Sequence, residues 1–279
     1  MMMITRVDMH SHTTASDGTF HVKEIVARAI EKGLTGLAIT DHDTVASLSE
    51  AVKEGEKAGI EVVPGIEISS VYNGMDVHIL GYYVDYEDDD FLNTLEGLRD
   101  VRKVRNQMMI DKLRQLGIDI TMEEVEKEKK GKGNTGRPHI ASVLIQKGAV
   151  STMKEAFDKY LGRGALAYCN PPRISPFEAI DIIKKAHGVP VVAHPGLYHD
   201  EELVLSLISY GVMGIEVFHP DHGEEEERIY GQMADHFQLI KTAGSDFHGI
   251  RSGVVFHGDL GDKGIDMETL IKIKKGKIS

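Results

Sequence analysis

Seven short apolar runs, at about residues 4–10, 35–40, 60–68, 76–84, 189–194, 213–218 and 239–244, alternate with stretches whose apolar residues recur at helical spacing. No other feature narrows the fold so far. Among the intervening stretches, VKEIVARAIEKG, VASLSEAVKEGEKAG and PFEAIDIIKKAHG end on glycine, a common helix stop. Strand-then-helix units of this kind build a parallel sheet covered by helices, and seven of them predict an α/β barrel or near-barrel. With 279 residues, 41% of them hydrophobic, the chain can bury a sizeable core as one large domain or two smaller ones.

The alternation stops between about residues 89 and 165. Four segments there, FLNTLEGLRDVRKVRNQMMIDKLRQLG, TMEEVEKEKKG, PHIASVLIQKG and STMKEAFDKYLG, read as helices with no strand among them. The expected organisation is a barrel made of 1–88 and 166–279, with an inserted helical subdomain at 89–165. KEKKGKGNTG within the insertion is expected to be a mobile loop, and the acidic runs at 88–90 and 224–227 to be solvated surface.

Composition excludes several classes. The net charge of −12 argues against broad coating of nucleic acid, which needs excess Lys and Arg to neutralise phosphates. No apolar run approaches the roughly 18 residues of a membrane span, and MMMITRVD lacks a signal-peptide pattern. A lone cysteine, Cys169, permits no internal disulfide and reads as a buried small residue, so a cytoplasmic location is the simplest expectation.

Seven of the fourteen histidines sit at or just after the end of an expected strand: His10, His12, His42, His78, His194, His219 and His248. Asp17, Asp41, Asp43, Glu67, Glu216 and Asp246 join them there. In VDMHSHTTASDG the period of two lets Asp8, His10 and His12 point the same way. Parallel barrels assemble their active sites at the C-terminal rim from different strands, so these residues are expected to converge. Imidazole mixed with carboxylate suits Zn²⁺, Mn²⁺ or Fe²⁺ better than Mg²⁺ or Ca²⁺. About nine ligands, at three or four per ion, call for two or three ions. Taken singly, each motif has a plainer reading: TDHD, for instance, fits an Asx turn with a helix cap at Asp43 or Thr44. His21, His187, His199, His222, His236 and His257 are expected to play surface roles.

The motifs DMHSHTTASDG, ITDHD, GIEIS, HILGYYVD, AHPG and GSDFHG, in this order across residues 8–249, resemble the PHP (polymerase and histidinol phosphatase) family of metal-dependent phosphoesterases. The resemblance implies a distorted, TIM-like (β/α)7 barrel. It implies one ion on His10, His12, Glu67 and Asp246, a second sharing Glu67 with His78 and His194, and a third on Asp17, His42 and His248. His219 is left as a candidate proton donor or phosphate contact, and Asp8 and Asp41 as acceptors that fix imidazole tautomers.

The insertion resembles a subgroup in which GRPHIA and a following AY loop lie over the site. Its members remove the 3′-phosphate of nucleoside 3′,5′-bisphosphates, and some trim short RNA from the 5′ end. Arg137 and His139 would then be the phosphate-binding pair, with Tyr168 of the loop a further contact. Arg102 and Arg105, with Lys103, form a basic run on an expected helix of the insertion, candidate substrate contacts that also read as a solvated face. Pro138 between the pair also fits a helix start, and AYCNPPR departs from the subgroup's pattern after the Tyr. The expected chemistry is attack by a metal-bound hydroxide on a small phosphorylated substrate, a nucleotide or short oligoribonucleotide. Histidinol-phosphate phosphatase and a non-catalytic metal-binding module are the alternatives.

Overall fold

The computed structural model describes residues 6–128, 135–169, 171–251 and 253–276. All seven apolar runs are strands of one sheet, in sequence order: Val7–Asp8 (β1), Gly36–Ile39 (β2), Glu61–Tyr72 (β3), Met75–Tyr82 (β4), Val189–Val192 (β5), Gly214–Phe218 (β6) and Ile240–Ala243 (β7). The sheet curls until its ends meet. Met9 donates its N–H to the Ala243 carbonyl at 3.1 Å, and Ser11 bridges Phe247 just beyond. The α-helices of the described residues are Val22–Glu31 (α1), Leu48–Ala58 (α2), Asp89–Gln115 (α3), Met122–Lys127 (α4), Arg137–Gln146 (α5), Met153–Ala156 (α6), Pro176–Lys185 (α7), Glu201–Tyr210 (α8), Glu224–His236 (α9) and Met267–Lys275 (α10). None is long and apolar enough to cross a membrane.

One strand departs from the expected parallel order. β4 runs antiparallel to both β3 and β5, whereas the other neighbouring strands are parallel. The runs near 60–68 and 76–84 are therefore not two successive βα units but one hairpin, turning on Asn73 and Gly74 with φ of 47° and 77°. A two-residue hairpin turn of the I′ type needs left-handed backbone at both positions, which Asn-Gly supplies at little cost. This turn carries β3 on to Tyr72, four residues past the expected end.

Alternate residues of each strand feed two different cores, as a pleat buried on both faces requires. Leu37, Ile39, Ile66, Ile68, Val77, Ile79 and Ile215 pack outward against α1, α2, α7 and α8. Ala38, Val63, Leu80, Tyr82, Val191 and Ala243 pack together on the other face, where Leu270 and Ile273 of α10 join them.

Between β4 and α7 the helices build a third cluster, with Met109 and Leu113 of α3, Val125 of α4, Ile140 and Leu144 of α5, and Ala156, Tyr160 and Leu161. Cys169 is buried there, as expected of a small apolar residue. The boundary expected at residue 89 falls inside the barrel's helical layer, because Phe91 and Leu95 of α3 pack with the outer core. The loop expected at 127–136 falls largely on residues 129–134, outside the described residues. Both acidic runs serve helix starts as well as solvent: Asp88 accepts the Phe91 N–H at 2.7 Å, and Glu226 accepts the Gly223 N–H at 3.0 Å.

Candidate metal centre

The ligand-bearing loops are held by carboxylates whose partners are mainly backbone and hydroxyl groups. Asp8 accepts N–H groups from His10, Ser245 and Gly261 at 3.2, 3.0 and 2.9 Å, pinning the ends of β1 and β7 together. Burial pushes its carboxyl up to about 6, although those three N–H groups pull the other way. Asp41 accepts from the Thr13 N–H and from the hydroxyls of Thr13, Ser16 and Ser47, which sets the loop after β1. Neither residue orients an imidazole, contrary to the expectation from spacing. Glu216 does: its two oxygens lie 3.0 and 3.2 Å from His10 Nδ1, and one also accepts the His194 N–H at 2.8 Å. The close approach of β7 to this pair needs glycine at 244, where a Cβ would collide with the His10 Cβ and crowd Glu216.

Four overlapping donor groups form at the rim among the described residues, three of them around the expected ligands and the fourth made of His219, Asp246 and His257. His10, His12, Glu67 and Asp246 are one, with His10 Nε2 3.4 Å from Glu67 Oε2 and 3.2 Å from Asp246 Oδ1. His12 Nε2 stands 3.3 and 3.1 Å from the same two oxygens. Glu67 Oε1 turns to His78 Nδ1 at 2.6 Å and His194 Nε2 at 3.1 Å, and Oε2 lies 3.0 Å from His42 Nδ1. Asp17, His42 and His248 close the third group together with His12, with Asp17 Oδ1 3.3 Å from His248 Nε2. All nine expected ligands thus lie in one continuous cluster. His78 reaches it from near the start of β4, because the reversed strand begins, rather than ends, at the rim.

The donor set fits divalent cations. His10 Nε2, Asp17 Oδ1 and Glu67 Oε2 are buried and have no hydrogen-bond partner, although each faces other donors of the cluster. Buried polar atoms are rarely left so, and a shared cation satisfies several lone pairs at once. Without a cation, protons serve instead. Burial opposes a charge on His12, but the hydrogen bond to Asp246 and the nearby charge of Glu67 hold its imidazolium up to about 10. Glu67 is the mirror case: burial would raise it, yet His42, His78 and His10 hold its carboxyl well below the usual range. His194 and Asp246 take left-handed backbone, φ 26° and 51°, strain of the sort that collects at functional sites.

A cavity of about 650 Å³ opens on this cluster, lined on the barrel side by Asp17, His42, Glu67, His78, His194, Asp246 and His248. Arg102, Arg105, Arg137, Pro138 and Phe157 line it from the helical segment. A larger hollow of about 880 Å³ beside Thr14, Glu50 and Arg99 contains none of the clustered ligands. Arg102 donates to Asp43 Oδ2 at 3.0 and 2.7 Å and also to Ser69 Oγ, so Asp43 anchors an arginine instead of capping a helix. Arg137 pairs with Asp76 Oδ2 at 2.8 Å, and Arg173 pairs with Asp76 Oδ1. Buried Arg105 donates to Asn106 Oδ1 and has no carboxylate within 4.0 Å among the described residues. Burial, together with Arg102, Arg137 and Arg173, holds its guanidinium well below the usual value.

Other expected contacts fall differently. His139 Nδ1 accepts the Gly136 N–H at 3.0 Å, and its ring lines a neighbouring hollow with Ser142 and Arg251 instead of the cavity. Two residues apart on α5, Arg137 and His139 leave the helix on different faces. Tyr168 donates its hydroxyl to the Gly74 carbonyl at 3.1 Å, tying its loop to the β3–β4 turn. His219 lies fully buried behind Asp246, with Nε2 3.5 Å from Oδ2.

Two histidines expected at the surface are not there. His222 is buried between the Val217 carbonyl and the Gly196 N–H, at 2.9 and 3.0 Å. His257 lines the cavity, with Nδ1 2.5 Å from Asp221 and Nε2 3.5 Å from Asp246. Sequence reasoning also missed Arg173. Both it and His257 sit in irregular segments after the last motif of their region, where no period marks the side that faces the site.

Donors able to hold cations on one wall and guanidiniums on the other suit the two needs of phosphate-ester hydrolysis, activation of the nucleophile and neutralisation of the phosphoryl charge. The class so defined is that of the metal-dependent phosphoesterases. A PHP domain model matches residues 8–170, and the chain belongs to this family. It is 34% identical over 248 residues to the 5′-3′ exoribonuclease Rnm of Escherichia coli, covering 86% of this chain and 84% of that one. Identity is 31% over 250 residues with a 3′,5′-nucleoside bisphosphate phosphatase of Chromobacterium violaceum, 88% of each chain. A phosphoribosyl 1,2-cyclic phosphate 1,2-diphosphodiesterase of Eggerthella lenta is 30% identical over 246 residues, 87% of this chain and 94% of that one. A metal-dependent phosphoesterase structure from Bifidobacterium adolescentis superposes with a TM-score of 0.89 at 31% identity, over 98% of this chain and 96% of the other. The protein is accordingly a hydrolase of phosphoester bonds.

Proposed function

We propose that the protein removes the 3′-phosphate from nucleoside 3′,5′-bisphosphates, with short RNA 5′ ends as a related substrate. The observation that carries this reading is the arginine cluster. Of the three arginines that line the cavity, Arg102 pairs with Asp43 and Arg137 with Asp76, while buried Arg105 has no carboxylate within 4.0 Å among the described residues, so positive charge is in excess on this wall. A substrate with one phosphate on the cations and a second on the guanidiniums uses both walls. Histidinol phosphate, with a single phosphate, leaves the second unused.

Two or three Mn²⁺, Fe²⁺ or Zn²⁺ ions would be held by His10, His12, Glu67 and Asp246, by Glu67, His78 and His194, and by Asp17, His42 and His248. Bound there, such ions bring a water's pKa toward neutrality and neutralise phosphoryl oxygens. The chain supplies the rest. Glu216 keeps His10 Nδ1 engaged so that Nε2 faces the cluster. Arg137 and Arg105 hold the remote phosphate, Arg137 by exchanging Asp76 for it. His257, gripped by Asp221, presents Nε2 toward the cavity beside Asp246, placed to meet the departing oxygen.

Phosphate release by metal-loaded protein from adenosine 3′,5′-bisphosphate, histidinol phosphate and a short 5′-phosphorylated RNA tests the reading. The bisphosphate is expected to give the highest kcat/KM. Arg105→Ala and Arg137→Ala are each expected to raise its KM by about tenfold to a hundredfold while changing a singly phosphorylated ester little. Equal losses on both substrates would remove the remote-phosphate role.

A further inference from the structure

Four apolar side chains line the cavity: Pro138, Leu197, Phe157 and Phe256; every other lining residue is polar or charged. The two phenylalanines stack on each other at the opening, ring centroids 6.0 Å apart and planes 26° from parallel. Neither ring is fully buried, whereas Phe247 and Phe91 are packed in the core. The pair comes from opposite sides of the site. Phe157 opens the π-helical turn Phe157–Leu161 that follows α6, and such turns, which carry an extra residue, are frequent at functional sites. Phe256 follows the short hairpin of Ile250–Arg251 and Val254–Val255 on the barrel side.

Their positions relate to both walls. Phe256 stands edge-on to the ligand His248, centroids 6.3 Å apart. The Arg137 guanidinium carbon lies 5.8 Å from the centre of the Phe157 ring. A flat group in this opening therefore lies beside a phosphate on the cations and a phosphate on the arginines. Half-exposed aromatic faces in an otherwise charged cavity gain most from covering by another π-surface, and offset-stacked rings sit about 4.5–7 Å apart.

We infer that Phe157 and Phe256 form an aromatic clamp for the base of the substrate nucleotide; this rests on the proposed nucleotide specificity and extends it from the phosphates to the ring between them. Stacking reads a flat face and not its edge groups, so the clamp accepts purines and pyrimidines alike. Because the two rings already stand at stacking distance, a base enters by parting them, which moves the helical segment slightly away from the barrel.

The test compares metal-loaded wild type, Phe256→Leu, Phe157→Leu and Phe256→Tyr on adenosine 3′,5′-bisphosphate and on ribose 3,5-bisphosphate, which lacks the base. Wild type is expected to favour the nucleoside substrate by about tenfold or more in kcat/KM. Each leucine variant is expected to lose about tenfold on the nucleoside substrate while staying within about twofold on the ribose one, and the tyrosine variant to restore the preference. Calorimetry gives a readout apart from turnover: adenosine 5′-monophosphate is expected to bind wild type more tightly than ribose 5-phosphate, and the leucine variants to bind both alike. Equal losses on the two bisphosphates, or a wild type without preference, would overturn the clamp. If neither bisphosphate is hydrolysed, the proposed function fails, and calorimetry alone decides the clamp: a preference lost in the leucine variants supports it, equal binding of the two ligands overturns it.

Discussion

Glu216 lies fully buried and touches the site at two points, through His10 Nδ1 and the His194 N–H. Its loss should be felt in metal binding before it is felt in folding. Glu216→Gln keeps the volume but weakens the grip on both, and metal affinity is expected to fall by about tenfold to a hundredfold in a chelator competition with the circular dichroism spectrum unchanged. The protons that stand in for cations give a second prediction. His12 has its pKa raised to about 10 from 6.5. A raised base contributes stability that is complete below the unfolded value and disappears as the pH climbs through the folded one. Chelated protein is therefore expected to lose stability between pH 6.5 and 10. Metal-loaded protein, whose ligands have already released those protons, is expected to change less over the same window. Scanning calorimetry of both forms checks this, and a flat profile for the chelated form would refute it.

At the scale of elements, β4 carries Asp76 and His78 two residues apart, one bound to the arginines and the other to Glu67. Asp76→Asn strips Arg137 and Arg173 of their shared counterion. The variant is expected to lose about 3 kcal/mol of stability, and sulfate at millimolar concentration to raise its Tm more than that of wild type, because an added anion replaces the missing carboxylate. Equal sulfate responses would show that the cluster does not hold anions. The elements also mark what was legible. A period of two and a break at each strand end were enough to gather His10, His12, His42, Glu67, His194, Asp246 and His248, because a barrel converts strand ends into a rim. The reversal of β4 is equally written in the sequence, in Asn73-Gly74, a two-residue turn that suits a hairpin and not a βα unit. Spacing could not separate Asp8 from Glu216 as the imidazole's partner, since both stand at strand ends and only the packing decides which carboxylate meets Nδ1.

At the scale of the whole molecule, the reversed strand has a consequence for the helical segment. β4 delivers the chain to the end of the barrel away from the rim, and α3 must climb back. Its 27 residues, about 40 Å at 1.5 Å each, bring Arg102 and Arg105 to the cavity. Phe91 and Leu95 near the foot of α3 belong to the barrel's outer core, while Met109 and Leu113 near its top belong to the helical cluster. One continuous rod is thus mortared into both masses of the protein. Heating is expected to melt them in a single calorimetric transition, and two resolved peaks would contradict this. An engineer who wished to transplant the roof onto another barrel would have to saw through the beam above Leu98, since a cut at the start of α3 would pull a stave from the cask.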